Sequence, residues 1–120
     1  MKYAHWLNTH PLVSQYDVLR DTQEEDTIFI KLRITLIDGS VIHTKEYTDI
    51  DTRKYAPHWQ GADEIRLVRW DNAFHFPNLI SFPHHRHDYR DDPETVTNSL
   101  DISLVEVLTY IQCQLTTPQL

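Results

Sequence analysis

The clearest regular pattern in the chain is the alternating run from Ile28 to Ile37. Ile28, Ile30, Leu32, Ile34 and Leu36 share one parity, while Lys31, Arg33 and Thr35 share the other. That period of two predicts a strand with one apolar face and one wet face. Asp38-Gly39 then turns the chain into Ser40 to Asp49, a hairpin signature. Two registers compete. A two-residue turn pairs Ile34 with His43 and Leu32 with Lys45, which puts a lysine on the apolar face. A three-residue turn, with Gly39 in the left-handed region, pairs Ile34 with Ile42 and brings Glu46 to the core side. Burying Lys45 is the costlier error, so the second register is preferred and Glu46 becomes a candidate site residue.

The remaining pattern is weaker. Residues 2–9 suit a short helix, Leu12 to Arg20 a first strand or extended arm, and Gln23 to Asp26 a polar turn. Lys54 to Gln60 and Glu64 to Asp71 read as a second hairpin around Gly61-Ala62-Asp63, with Pro57 marking a sheet edge or a bulge. With so few glycines, Gly39 and Gly61 both point to positions of positive φ. Pro77 and Pro83 predict an irregular surface path over 72–83, and the polar stretch Asp88 to Asn98 predicts a mobile loop. Residues 101–115 form the one long helix. Ser103 and Glu106 have capping-box spacing, with Asp101 as an alternative cap. Leu104, Leu108, Ile111 and Leu115 make its stripe, widened by Val105 and Val107, and should pack on the even face of the 28–37 strand. The expected class is α+β: one domain over 1–120, a twisted antiparallel sheet of about five strands with the C-terminal helix on one face.

Composition narrows the role. The formal charge of −7 argues against a general nucleic-acid coat, because duplex binding needs many Lys and Arg contacts to phosphate. It leaves room for a local basic patch. The single cysteine, Cys113, makes no internal disulfide and no zinc cluster, which suits a reducing compartment. The N-terminal sequence lacks a signal-peptide pattern, and no apolar run approaches the roughly 20 residues that span a bilayer. A soluble cytoplasmic protein without membrane contact is the expectation. No phosphate-cradling glycine loop and no Gly-X-Ser-X-Gly elbow is present.

Chemistry concentrates in one segment. His75, His84, His85 and His87 all lie between Arg69 and Arg90, among aromatics and prolines. Imidazole exchanges protons near neutrality and is the commonest metal ligand. In extended chain His85 and His87 point one way and His84 the other. Three readings stay open. A His-X-His pair can supply two zinc ligands, with His75 or Asp71 as a third. Alternatively, His84, His85 and His87 act as proton carriers in RNA phosphodiester cleavage, with Arg69, Arg86 and Arg90 as cations and Asp71 orienting an imidazole. Tyr55, Trp59 and Trp70 would then stack bases. Structurally, the histidines hold backbone carbonyls and His75 rests against Trp70. The acid–base reading leads; it requires neither metal nor cofactor.

The run Arg69-Trp70-Asp71-Asn72-Ala73-Phe74-His75-Phe76-Pro77, continuing to Ser81-Phe82-Pro83-His84-His85-Arg86-His87, resembles the TumE-like toxin–antitoxin family of small prokaryotic proteins. The likeness extends to Asp38-Gly39, Glu46-Tyr47, Tyr55, His58 and the C-terminal helix, over most of residues 28–115. Arg86 stands where the family usually has lysine. The resemblance implies a toxin-like component, commonly encoded beside a helix-turn-helix antitoxin. It also implies a shared site at Arg69, Asp71, Asn72, His75, His84, His85 and His87, without assigning roles. His84, His85, His87, Arg69 and Asp71 are therefore the catalytic candidates; Tyr55, His75, Arg86 and Asn72 are candidates for binding substrate. The leading function is a toxin that cleaves RNA or blocks translation without metal. The alternatives are a non-enzymatic module that binds a helix-turn-helix partner and a metal-dependent hydrolase. Strand edges near Pro57 are compatible with a homodimer.

Overall fold

The computed structural model describes residues 1–116. Helix α1 (Ala4–Thr9) precedes eight strands: β1 (Val13–Glu24), β2 (Thr27–Leu36), β3 (Val41–Thr48), β4 (Arg53–Tyr55), β5 (His58–Gln60), β6 (Arg66–Asp71), β7 (His85–Asp88) and β8 (Thr95–Asn98). Helix α2 (Leu104–Thr116) follows. The strands form one antiparallel sheet in the order β1-β2-β3-β5-β6-β7-β8, with β4 also paired to β3. The α+β class and the C-terminal helix are as expected; the strand count is eight, not about five.

The extra strands have identifiable causes. The stretch 54–60 divides at Ala56-Pro57, so β4 and β5 pair separately with β3. Pro57 has no N–H to give a ladder, but its carbonyl accepts from the Trp70 amide at 3.0 Å. It marks a break inside the sheet rather than an edge, because β5 lies between β3 and β6. The one strand next to Pro57 with an unpaired side is β4, which pairs only with β3 and whose other side meets the Asn72 amide; the sheet otherwise ends at β1 and β8. The expected loop over 88–98 is also partly strand. Its β-branched Thr95-Val96-Thr97 pairs with β7, giving a partner to a strand that would otherwise end the sheet.

The hairpin takes the register that keeps Lys45 out of the core. Ile34 faces Ile42, the Leu36 amide reaches the Ser40 carbonyl at 2.8 Å, and Gly39 has a φ of 86°. Gly61 does not take a positive φ; Glu64 does, at 69°. What Gly61 supplies is room, since a Cβ there would lie 2.6 Å from Asp63 Oδ1.

Even positions of β2 and β3 meet both helices in one core. Ile30, Leu32, Ile34, Leu36 and Ile42 share it with Leu7 of α1 and with Leu104, Val107, Leu108 and Ile111 of α2. Leu115, expected in the helical stripe, and Val105, expected to widen it, remain exposed. The capping box is present: the Glu106 amide donates to Ser103 Oγ at 3.2 Å and the Ser103 amide to Glu106 Oε1 at 3.2 Å. Asp101 instead pairs with Arg53 at 2.9 Å. Trp59 and Trp70 are sealed in the core, with the Trp59 indole donating to Ser40 Oγ and Trp70 edge-on to Tyr110 of α2. They cannot stack bases.

Both helices thus cover the same sheet face. Trp70 and Arg86 are cross-strand partners on the α2 side, so Arg69 and His87 project from the other face. The result is a slab 50 × 38 × 20 Å with one helix-free face.

Glu46 fastens α1 to this slab. Its buried carboxylate accepts from Lys2 Nζ at 2.9 Å and from the Tyr3 hydroxyl at 2.7 Å, with Arg53 Nε at 3.7 Å. Burial alone would raise its pKa, but those bonds and the Lys2 and Arg53 charges outweigh it and hold the carboxyl below the usual range. A depressed native pKa adds stability that is complete above the unfolded value, roughly 4.3, and disappears as pH falls through the native one. Glu46→Gln is expected to cost about 1.5–3 kcal/mol at pH 7, the gap to wild type closing in acid as the pH falls through the native pKa. Urea melts at pH 7 and in acid check this; a gap that persists in acid would assign the loss to packing.

Candidate active site on the helix-free face

The β6–β7 pairing sets the site. Asp71 lies opposite His85, and Arg69 opposite His87. Alternation along both strands places all four side chains on the helix-free face. The His85 and His87 rings stand 4.9 Å apart. His85 Nε2 is 2.9 Å from Asp71 Oδ1, His87 Nε2 is 3.8 Å from Asp71 Oδ2, and Arg69 Nε is 3.1 Å from the same Oδ2. Close as they are, His85 Nε2 and Arg69 Nε make no aligned hydrogen bond. The carboxylate's one aligned donor is the Ala73 amide, at 3.0 Å from Oδ1. Asp71, His85 and His87 each offer a ligand atom, all within 4.8 Å of one another, so this trio could hold a metal ion.

A loop covers the trio. Residues 72–84 run irregularly, as the prolines predict, and lay Phe76 edge-on against His85 at 4.8 Å and His87 at 5.6 Å. His85 is consequently 1% exposed. The loop is fixed at both ends. At its start, the Asn72 side chain stands in for a neighbouring strand: Oδ1 accepts from the Tyr55 amide at 3.1 Å and Nδ2 donates to the Arg53 carbonyl at 2.7 Å. Near its end, Asn98 Oδ1 accepts from the Ser81 amide at 3.1 Å, and Ser81 Oγ accepts from the Ser99 amide at 3.0 Å.

His84 faces elsewhere, as alternation predicts. Its Nδ1 meets the Tyr55 hydroxyl at 2.7 Å, and the two rings stack 5.9 Å apart. Tyr55 is buried, with Arg53 over its ring at 4.4 Å, and burial pushes its hydroxyl up to about 12. His84 helps to wall a cleft of about 710 Å³ that also borders Arg69, Asp71, Asn72, Phe74 and Lys54. Asp71 therefore touches both the buried histidine pair and the cleft.

The structure brings Arg69, Asp71, His85 and His87 together and sets His84 and Tyr55 on the adjoining cleft. It leaves three candidates outside. Arg86 lies on the opposite face over Tyr110 at 5.6 Å, and Arg90 is tied to Asp88 and Tyr110. His75 is exposed on the loop beside Phe76, not against Trp70. The Asn72 amide spends both its polar atoms on β4.

A row across the sheet escaped the sequence reading. Arg33, His43, His58, Arg69 and His87 are successive cross-strand neighbours on β2, β3, β5, β6 and β7. At about 4.8 Å per strand the row is roughly 19 Å long. Lys31 and Lys45 pair beside it, and a groove of about 250 Å³ runs among Lys31, His43, Lys45, His58 and Arg69. Burial, then the Arg69, His43, Arg66 and His87 charges, push the His58 pKa down to about 4. Burial and His85 likewise lower His87, against the opposing pull of Asp71 and Glu94. Both imidazoles are thereby biased toward the neutral form.

Asn72→Ala removes the partners of the Tyr55 amide and the Arg53 carbonyl, and is expected to cost about 1–3 kcal/mol. Chemical denaturation reads this directly; unchanged stability would show that the amide does not close the β4 edge.

The sequence model of the family described as Toxin TumE matches residues 3–115. No curated protein matches the chain. No solved structure matches it either.

Proposed function

The chain belongs to the TumE toxin family, and we propose that it acts as the toxin of a toxin–antitoxin pair by cleaving RNA on the helix-free face. The observation that carries this reading is the alignment of Arg33, His43, His58, Arg69 and His87 along one face of an acidic chain. The Arg33–His87 row and its flanking lysines lead into the cleft where Arg69, Asp71 and His84 meet. Guanidinium and ammonium groups hold a phosphate backbone, and imidazoles move protons beside it.

The chemistry needs two proton transfers. The 2′-hydroxyl oxygen attacks phosphorus as its proton passes to the Asp71–His85–His87 cluster. The bond from phosphorus to the 5′ oxygen breaks, and His84 gives that oxygen a proton. Arg69 opposes the negative charge that gathers on the phosphate oxygens. With Nδ1 held by Tyr55, His84 has Nε2 left for the substrate. The antitoxin is expected to be a basic, helix-turn-helix protein, to which the net charge of −7 is complementary.

Exposed apolar groups favour a second, non-enzymatic reading. Ile80 is 97% and Phe74 78% exposed on the covering loop, which suits a surface that a protein partner hides. Among the described residues no helix is long and apolar enough to cross a membrane.

Induced wild-type protein should arrest growth and fragment total RNA, and purified protein should leave single-stranded RNA with 2′,3′-cyclic phosphate ends. Arg69→Ala is expected to slow cleavage about 10²–10³-fold and to restore growth at equal protein levels and unchanged melting temperature. Arrest with intact RNA, together with copurification of a partner, would favour the second reading.

A further inference from the structure

We propose that Asp71, His85 and His87 bind one divalent transition-metal ion, zinc foremost, through the Asp71 carboxylate and both Nε2 atoms. The argument begins with tautomers. His85 Nδ1 lies 2.9 Å from the Pro83 carbonyl, which can only accept, so Nδ1 carries the hydrogen. In the neutral ring Nε2 then presents a lone pair. That nitrogen sits 2.9 Å from a carboxylate oxygen, in a residue 1% exposed, with no hydrogen-bond partner. Neither an N–H nor a lone pair at Nε2 points along the line to Asp71, so the ring aims its electron pair beside the carboxylate, where a cation can meet both.

His87 repeats the arrangement. Its Nε2 faces Asp71 Oδ2 at 3.8 Å, while Nδ1 faces Glu94 Oε2 at 3.5 Å. Each imidazole thus turns Nε2 toward the carboxylate; Nδ1 bonds the Pro83 carbonyl in His85, whereas in His87 it lies near Glu94 without an aligned hydrogen bond. Outer acceptors on Nδ1 are the usual supports of metal-bound histidine. The trio is compact: His85 Nε2 and His87 Nε2 lie 2.9 and 3.8 Å from different oxygens of Asp71, and one ligand atom from each residue lies within 4.8 Å of the others, so bonds of about 2.0–2.1 Å to one ion would draw the side chains together. Two imidazoles and one carboxylate select zinc or iron(II) over calcium or magnesium, which prefer all-oxygen sets. Phe76 packs over both imidazoles, with His85 buried and His87 left part-exposed.

Three protein ligands leave a position open for water, whose pKa such an ion lowers toward neutrality. Use of the hydroxide formed when that water loses a proton as the acceptor of the 2′-hydroxyl proton rests on the RNA-cleaving reading above; the binding of metal does not. This departs from the metal-free mechanism that the sequence favoured.

The test uses the full chain, stripped with a chelator, dialysed, and titrated with zinc chloride against a chromogenic competitor. One equivalent is expected to bind with micromolar or tighter affinity. Cobalt(II) in its place should give visible absorption bands of a nitrogen- and oxygen-ligated ion. Asp71→Asn and His87→Ala should each weaken binding at least about tenfold, and Glu94→Gln by about 10-fold or more. Circular dichroism melts establish that each variant is folded. His85 is the variant most prone to misfold, whereas His87 and Glu94 are more exposed and keep the test open. Failure of wild type to retain zinc would overturn the proposal, as would equal affinity in folded Asp71→Asn and His87→Ala proteins. Zinc bound at this trio without RNA cleavage would remove the ribonuclease reading and leave the site standing. RNA cleaved at full rate by zinc-free protein would remove the metal from the reaction.

Discussion

The site depends on the register between β6 and β7. In the observed pairing, Arg69 and Asp71 face His87 and His85 on the open side, while Val68 and Trp70 face Asp88 and Arg86 on the helix side. A slip of one residue would exchange those sets, driving Trp70 into solvent and charged groups beneath α2. Trp70 is 2% exposed and packs on Tyr110, so the slip would forfeit the burial of a large aromatic. The hydrophobic core therefore fixes the polar site through strand alternation. Asp88 reinforces the lock from the helix side, where it holds Arg90, which in turn reaches Tyr110 at 2.6 Å.

Only one sheet face receives helices, and that asymmetry explains how an acidic chain lines up cations on the other, where Arg33 pairs with Asp17 at 2.8 Å and Arg69 lies 3.1 Å from Asp71. Lys31 and Arg33 of β2, Lys45 of β3 and Arg69 of β6 sit at positions that alternation excludes from the core, and the sheet order brings them together. No segment of the sequence contains a basic run; the row exists only once β2, β3, β5, β6 and β7 are neighbours.

This defines what could be read from sequence. The β2–β3 hairpin, its Gly39 turn and the burial of Glu46 were legible, because two faces of opposite polarity leave one acceptable register. The α2 capping box was legible from Ser103 and Glu106 alone. Opposite directions for His84 and for His85 with His87 followed from local geometry. Other features depended on distant partners. Trp59 and Trp70 looked free to stack bases until their strands became central. Thr95 to Asn98 looked like loop because polar composition outweighed β-branching, and β7 supplied the pairing that reversed the balance. His43 shares a parity with Arg33, yet nothing local shows that it will stand beside His58. Phe76 gave no signal of its cover over the histidines, since an irregular loop has no period to read. The family resemblance pointed to the segment 69–87 and said nothing of which residues in it would touch.

The loop over 72–84 is braced like a strut, with the Asn72 amide welded to β4 and Ser81 clasped by Asn98 and Ser99. A molecule entering beside it meets a wall already in place. Little chain entropy is then lost on occupancy, so shape must be matched by the guest and not by rearrangement of the host.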